Sequence, residues 1–154
     1  MKEEPEYAPL DSLIFLTNRV GRLLANRIRQ EVEEDLEVIM PHMGVLVDLW
    51  VKDGVRQQEL AVSVIKDKGT IARSLDVLER ENVVVRVPDE QDRRNKRIYL
   101  THRGRALRCR LMPHAGVALA QATGGLSDEA IDTGREVLVR MYHNLSEGEG
   151  ARSL

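Results

Sequence analysis

Two cationic clusters carry the side chains with the clearest chemistry in this 154-residue chain. The first contains Lys68 and Arg73 among short polar residues, and the second is the run Arg93-Arg94-Asn95-Lys96-Arg97. Guanidinium and ammonium groups beside hydroxyls and amides bind phosphates and the edges of nucleic-acid bases. The two clusters therefore indicate a polyanionic ligand.

The charge distribution favours the same ligand, although the formal net charge is only −2. Residues 52–110 contain 15 basic and 9 acidic side chains, whereas the two ends together contain 8 basic and 16 acidic ones. A basic centre between acidic ends favours contact with a polyanion at the centre. A solvated charged surface would give the same counts, so the order of the elements has to decide between the two interpretations.

Other classes of protein find little support. Aromatic residues make up 3% of the chain, too few to stack the bases of a single strand. The motifs of hydrolase nucleophiles, phosphate loops, HExxH metalloenzymes and dinucleotide sites are missing, so an enzyme is not expected. The four histidines show no metal-ligand spacing, and we expect no metal and no other cofactor. Cys109, between two arginines, fits a redox sensor less well than an incidental thiol.

The expected location is the cytoplasm, with no membrane as a partner. No apolar run approaches the roughly 20 residues that a bilayer requires. The segment 1–9 is acidic and polar, unlike a secretory signal peptide.

Hydrophobic periodicity predicts the elements that must position the cationic clusters. Helices are expected over 10–36, 41–51, 56–64, 68–81, 101–122 (interrupted at Pro113) and 128–145, with Asn82 as a left-handed stop. The runs 83–87 and 96–100 predict a β-hairpin with a long charged tip. The predicted fold class is mainly α with a small β-hairpin wing, a winged helix-turn-helix flanked by N- and C-terminal helices.

This order places both clusters where a winged helix-turn-helix meets duplex DNA. The helix 68–81 would enter the major groove, where Arg73 is suited to a guanine, and an arginine at the hairpin tip would reach the minor groove. The predicted DNA-binding residues are Gln57, Gln58, Lys66, Lys68, Gly69, Thr70, Arg73, Ser74, Arg93, Arg94, Lys96 and Arg97.

Over about residues 56–107 the sequence resembles the MarR family of bacterial transcription regulators. The resemblance is carried by Leu60-Ala61, by the segments 66–73, 75–79 and 84–86, and by the wing segment 89–94. Its most specific part is Asp92-Arg93-Arg94, followed six residues later by Leu100-Thr101-x-x-Gly104. Two positions differ from the family pattern. Gly69 stands where Ser or Thr is usual, which removes a hydroxyl for a phosphate, and Asn82 replaces a Gly without expected consequence.

The resemblance implies a homodimer that binds an inverted repeat with half-sites about one helical turn apart. It implies dimerisation helices at 10–38 and 102–145 around a DNA-binding lobe at 41–101. Repression is the favoured mode, with a small anionic or phenolic effector that releases the DNA. Asp92 would stabilise the wing by pairing with Arg94 or a neighbouring cation.

A winged-helix dimer that serves as a protein-interaction module without specific DNA binding is the alternative, and Gly69 gives it slight support. The two hypotheses differ in whether Lys68, Arg73, Arg94 and Arg97 converge on one basic face.

Overall fold

A computed structural model describes residues 12–63 and 68–150, without the side chains of 61–63 and 147–150. The chain divides into two compact units, one ending at Ala118 and the other beginning at Leu119. Lys66 and the predicted first turn of the N-terminal helix, 10–11, lie outside the described residues. In the part of the chain that is described, no helix is both long enough and apolar enough to cross a membrane.

The predicted helices are all present, which confirms a mainly α fold. They are α1 (Leu13–Glu31), α2 (Met43–Val51), α3 (Gln57–Ser63), α4 (Lys68–Arg80), α5 (His102–Ala122) and α6 (Asp128–Gly150). The helix α1 ends five residues earlier than predicted, and a 3₁₀ turn follows at Glu34–Leu36. The acidic run after Glu31 explains the difference, because carboxylates are unfavourable at the negative end of a helix dipole.

The wing is a three-stranded antiparallel sheet rather than the predicted two-stranded hairpin. Its strands β1 (Val55–Arg56), β2 (Val84–Pro88) and β3 (Lys96–Leu100) lie in the order β1-β3-β2. The register pairs Val55 with Ile98 and Val84 with Leu100. The sequence did not predict β1 because two residues are too short to show alternation. The extra strand ties the wing to the start of α3.

The core of the first unit joins the helix-turn-helix to the wing. Its fully buried side chains include Leu46, Leu49, Leu60, Ile71, Leu75, Leu78, Val83, Ile98, Leu107 and Leu111. Asn82 ends α4 with a φ of 55°, as predicted for a left-handed stop. These contacts fix the angle between α4 and the wing, which is the geometry that a DNA-binding face requires.

A close approach of backbones places α5 against Val83, the residue that precedes β2. A Cβ added at Gly104 would collide with the Val83 carbonyl oxygen, so only glycine fits. The indole Nε1 of Trp50 donates to the Gly104 carbonyl at 2.9 Å, and the Gly104 N–H donates to Thr101 Oγ1 at 3.0 Å. This contact accounts for the Leu-Thr-x-x-Gly spacing seen in the sequence.

The helix α5 continues through Pro113, so the predicted interruption is wrong. Proline removes one N–H from the helical ladder. The buried side chains of Leu111 and Ala118 lie on either side of it. We attribute the continuity of the helix to this packing, which holds both halves in register.

Candidate nucleic-acid interface

The helix α4 has one face in the core and one in solvent. Ile71, Leu75 and Leu78 are completely buried, whereas Lys68, Gly69 and Arg73 are exposed. The prediction that Ser74 lies on the outer face is wrong, because its side chain is only 4% exposed. Residue 74 falls on the same helical stripe as 71, 75 and 78, so its polarity misled the sequence interpretation.

On the outer face of α4, a residue one helical turn earlier holds the guanidinium of Arg73. Arg73 Nη2 donates to Thr70 Oγ1 at 3.2 Å. A guanidinium carries five N–H groups, so Arg73 has further donors for a bidentate contact. The arrangement positions Arg73 as a donor to a planar pair of acceptors such as the O6 and N7 atoms of guanine.

The tip of the wing is organised around Asp92. Its Oδ1 accepts from the backbone N–H of Arg94 at 3.1 Å, and its Oδ2 accepts from Asn95 Nδ2 at 3.1 Å. The Nε of Arg94 lies 3.6 Å from Asp92 Oδ1, which is the pairing that the family resemblance implied. The Arg94 side chain is nonetheless 97% exposed, and Arg93 is exposed beside it. The turn therefore fixes the backbone while the two guanidinium groups extend into solvent.

A buried carboxylate at the base of the wing was missed by the sequence interpretation. Asp89 is 1% exposed, and its Oδ2 accepts from Arg97 Nε at 2.7 Å and from Arg56 Nε at 3.2 Å. Its Oδ1 accepts from the backbone N–H groups of Gln91 and Asp92 at 2.9 and 3.2 Å. We call Asp89 with Arg56 and Arg97 the wing clasp.

The electrostatics of the clasp keep Asp89 ionised. The N–H of Gln91 contributes most to lowering the pKa of Asp89 to about 2, against the opposing effect of burial. The N–H of Asp92 and the Arg56 guanidinium lower it further. An ionised, buried carboxylate joins β1, β3 and the wing loop, so it sets the position of the whole wing.

The clasp also changes the role predicted for Arg97. Besides its bond to Asp89, Arg97 donates through Nη1 to the Gly54 carbonyl at 2.8 Å. These two contacts hold the 36% exposed side chain against the protein, which favours a structural role over a DNA contact. The buried position of Asp89 has a local sequence signal. An Asx turn begins at residue 89, in which the carboxylate accepts from the N–H groups of Gln91 and Asp92.

A second ionic cluster fixes α4 against the wing. Arg86 on β2 donates through Nη1 to Glu79 at 2.9 Å, and through Nη2 to Asp76 at 2.8 Å and to the Ala72 carbonyl at 3.0 Å. The Arg86 side chain is 18% exposed. Since Asp76 and Glu79 are three residues apart, they share one side of α4 and meet one guanidinium.

Between α3, α4 and the wing lies an open cavity of about 230 Å³, which we call the notch. Its lining residues are Gln57, Gln58, Lys68, Arg94, Asn95 and Lys96. Gln58 Nε2 donates to Asn95 Oδ1 at 3.4 Å, which links the start of α3 to the wing loop. The structure thus brings five of the predicted DNA-binding residues to one site, although they come from three separate segments.

Cys109 is exposed on α5. Its neighbour Arg110 pairs with Asp35 at 3.2 Å and with Glu33, and these hydrogen bonds, led by that to Asp35, raise the pKa of Arg110. Within the described residues no group of three His, Cys, Asp or Glu side chains could hold a metal ion.

Comparison with known proteins finds transcriptional regulators of the helix-turn-helix type. Residues 39–96 match the model of the MarR family. An HTH-type transcriptional regulator of Bacillus subtilis named YybA, itself uncharacterized, is 26% identical over 73% of this chain and 75% of its own. CouR from Rhodococcus jostii, solved bound to p-coumaroyl-CoA, is 27% identical, with a TM-score of 0.68 over 83% of this chain and 89% of its own.

A MarR-family regulator from Listeria monocytogenes was solved in complex with a 26mer DNA. It has a TM-score of 0.79 over 90% of this chain and 91% of its own, and at 18% identity it shows the fold alone. The fold and its cationic face define a winged-helix protein of the class of transcriptional regulators. Residues 39–96 of the chain resemble the MarR family, and the chain has the fold of solved regulators of that family.

Proposed function

We propose that the protein is a homodimeric transcriptional regulator that binds duplex DNA in a sequence-specific manner. The observation that carries the proposal is the convergence of Lys68, Arg94 and Lys96 on the notch, beside the exposed face of α4. In this arrangement α4 enters the major groove and the tip of the wing enters the adjacent minor groove. A module that only bound proteins would have no need to collect cations from α4 and the wing at one place.

The residues of this interface have different roles. Arg73 and Thr70 face base edges, Gln57, Gln58, Lys68, Lys96 and the backbone near Gly69 face phosphates, and Arg93 and Arg94 face the minor groove. Lys66 is retained as a contact from the sequence alone. Asp92 shapes the turn that presents Arg94, while Arg97 and Ser74 support the interface from inside.

Dimerisation is supported by apolar surface on the terminal helices. No residue of α1 is buried, and its Leu13, Ile14 and Leu23 are 61 to 70% exposed. In the second unit, Leu138 and Leu145 lie seven residues apart on one side of α6 and are 53 and 71% exposed. Apolar side chains that are exposed together on a helix mark interaction surfaces. A second copy of the chain would cover them, and a two-fold dimer requires an inverted repeat in the DNA.

Repression by occlusion of a promoter, relieved by a small anionic or phenolic effector, completes the proposal. The relative from Rhodococcus jostii that was solved with p-coumaroyl-CoA supports a small-molecule effector. An effector can release DNA only by binding better to a dimer state whose two α4 helices no longer match successive major grooves. Such a regulator acts in the cytoplasm, where the DNA is.

Selection from a pool of random-sequence duplexes tests the proposal. The full-length protein should enrich an inverted repeat whose half-sites lie about 10 base pairs apart, centre to centre. Enrichment of no common sequence, from a protein that is folded and dimeric, would overturn specific DNA binding and favour the protein-interaction alternative.

A further inference from the structure

We propose that a second cavity, between α2 and α3, is a binding site for a free apolar α-amino acid such as leucine. This α2–α3 cavity has a volume of about 280 Å³ and shares no lining residue with the notch. The inference goes beyond the proposed function, because it requires neither DNA nor the anionic or phenolic effector. Its lining residues are Asp48, Val51, Lys52, Val55, Glu59 and Leu60.

Three of the lining residues form an apolar surface. Val55 and Leu60 are buried, whereas Val51 at the end of α2 is 84% exposed. An apolar side chain that entered the cavity would cover Val51 and contact its two buried neighbours. Removal of this apolar surface from water favours binding.

The other three lining residues carry opposite charges. Asp48 and Lys52 are four residues apart at the end of α2, so their side chains are neighbours on one side of the helix. Glu59 adds a second carboxylate from α3. An α-amino acid carries its ammonium and its carboxylate on the same carbon, so it requires acidic and basic partners that lie close together. The cavity provides two carboxylates for the ammonium and one lysine for the carboxylate.

The charged groups have capacity for a ligand. In the part of the chain that the structure describes, Lys52 forms no ion pair. Glu59 Oε2 accepts from the backbone N–H of Arg56 at 2.6 Å, which fixes the carboxylate in position. An ionised carboxylate has about four lone-pair sites, so Glu59 can accept from an ammonium as well.

The size and the charge of the cavity favour an amino acid over other small ligands. Ligand pockets typically measure about 300–1,000 Å³, so a volume of about 280 Å³ suits a ligand at the small end of this range. A purely anionic ligand would face two carboxylates, and a purely cationic ligand would lie beside the ammonium of Lys52. A zwitterion with an apolar body is the class of ligand that matches every lining residue.

The first experiment uses L-leucine as the probe. The full-length protein is titrated with leucine at constant ionic strength, and its methyl signals are followed by NMR. We expect saturable shifts at Val51, Val55 and Leu60. The matched controls are Val85 and Val87, two exposed valines of the wing that line neither cavity, and they should not shift. Equal shifts at these controls, or no saturable shift at the cavity, would overturn the site.

Two analogues that each lack one charge of leucine test the requirement for a zwitterion. Isoamylamine has no carboxylate, and isocaproate has no ammonium. Each should bind about tenfold more weakly than leucine, because it loses charge-assisted hydrogen bonds. An amine that binds as tightly as leucine would reduce the cavity to a cation site. A carboxylic acid that does so would exclude a role for Asp48 and Glu59, and either result would overturn the proposal.

Substitutions at the cavity assign the two charges of the ligand. Lys52→Gln should bind leucine and isoamylamine about equally, because the partner of the carboxylate is missing. Asp48→Asn should instead reduce the preference for leucine over isocaproate. Lys96→Gln, which replaces an exposed lysine of the wing, is the control and should keep both preferences. Lys52 is exposed, so its replacement leaves the fold intact, and an unchanged preference for leucine over isoamylamine in Lys52→Gln would overturn the assignment.

Discussion

Asp89 Oδ2 lies 2.7 Å from the Nε of Arg97, and this pair anchors the wing from inside the protein. Arg56 joins the pair at 3.2 Å from the strand that precedes α3. One buried carboxylate thus connects the helix-turn-helix to the hairpin. The relative position of α4 and Arg94, on which the proposed DNA face depends, is set partly by a residue that need not touch DNA.

Replacement of Asp89 tests this role. In Asp89→Asn the carboxamide keeps the size of the side chain but loses the charge, and its NH₂ group faces two guanidinium groups. We expect unfolding at a lower urea concentration and severalfold weaker DNA binding, measured by circular dichroism and fluorescence anisotropy. Glu90→Gln, which removes the adjacent exposed carboxylate, is the control and should change neither. Unchanged DNA affinity in Asp89→Asn would show that the clasp does not position the wing.

The same residue predicts a dependence of stability on pH. Because the pKa of Asp89 falls from 3.8 in the unfolded chain to about 2 in the folded one, ionised Asp89 favours the folded state. Its contribution is complete above pH 3.8 and is lost as the pH falls towards 2. The difference in free energy of unfolding between the wild type and Asp89→Asn should stay constant at higher pH and shrink across this window. Urea unfolding at a series of pH values measures it, and a difference that grows with acidification would contradict it.

Arg73→Ala tests whether α4 forms a hydrogen-bonded contact with a base edge. Loss of a bidentate contact to a base should weaken specific binding by about 1–3 kcal/mol and relax the preference at one position of each half-site. The matched control is Arg80→Ala, which removes an exposed arginine from the other end of the same helix. Competition with single-substituted duplexes provides the measurement. An equal loss on specific and scrambled duplexes would mean that Arg73 contacts only phosphate.

Gly104→Ala tests the close approach of α5 to β2. The added methyl group would meet the Val83 carbonyl, and overpacking of this kind costs about 1–3 kcal/mol. Gly116→Ala on the same helix is the control, since a Cβ there meets nothing within 4 Å. That control should be neutral or more stable by up to about 1 kcal/mol, because alanine favours helix. Thermal unfolding of both variants compares them directly, and equal stability would refute the steric argument.

Leu138→Glu on α6 tests the proposed dimer surface. A charge on an apolar face that a second copy covers should shift the protein towards monomer, and sedimentation velocity reports the mass. Glu136→Gln, an exposed neighbour on the same helix, should leave the oligomeric state unchanged. A Leu138→Glu protein that sediments like the wild type would exclude this face of α6 from the interface.

Periodicity predicted the order of the helices and the hairpin because their apolar stripes are long enough to repeat. Ser74 was misplaced because its polarity suggested the outer face, although its position on the helix lies on the inner stripe. Periodicity also missed the strand β1, which is only two residues long. Pairings between distant residues, such as Asp89 with Arg56, depend on the tertiary fold and leave no local pattern.

The candidate site also has a part that the sequence predicts and a part that depends on the tertiary fold. The cations at the tip of the wing could be predicted because they are adjacent in sequence. The notch could not, since Gln58, Lys68 and Lys96 meet only when α3, α4 and β3 are packed together. Arg97 was predicted as a DNA contact from its neighbours, and its contacts with Asp89 and Gly54 add a structural role that no local pattern shows.

Sequence-specific binding of duplex DNA is tested by fluorescence anisotropy over a series of salt concentrations. A duplex from upstream of the protein's own gene is compared with a scrambled duplex. We expect tight binding that prefers the upstream sequence. We also expect a steep fall of log affinity with log salt, because several phosphates are neutralised. Arg94→Ala should lower the magnitude of that slope by about one. Binding that is weak and indifferent to sequence, for this duplex and for every duplex from the random pool, would contradict the account.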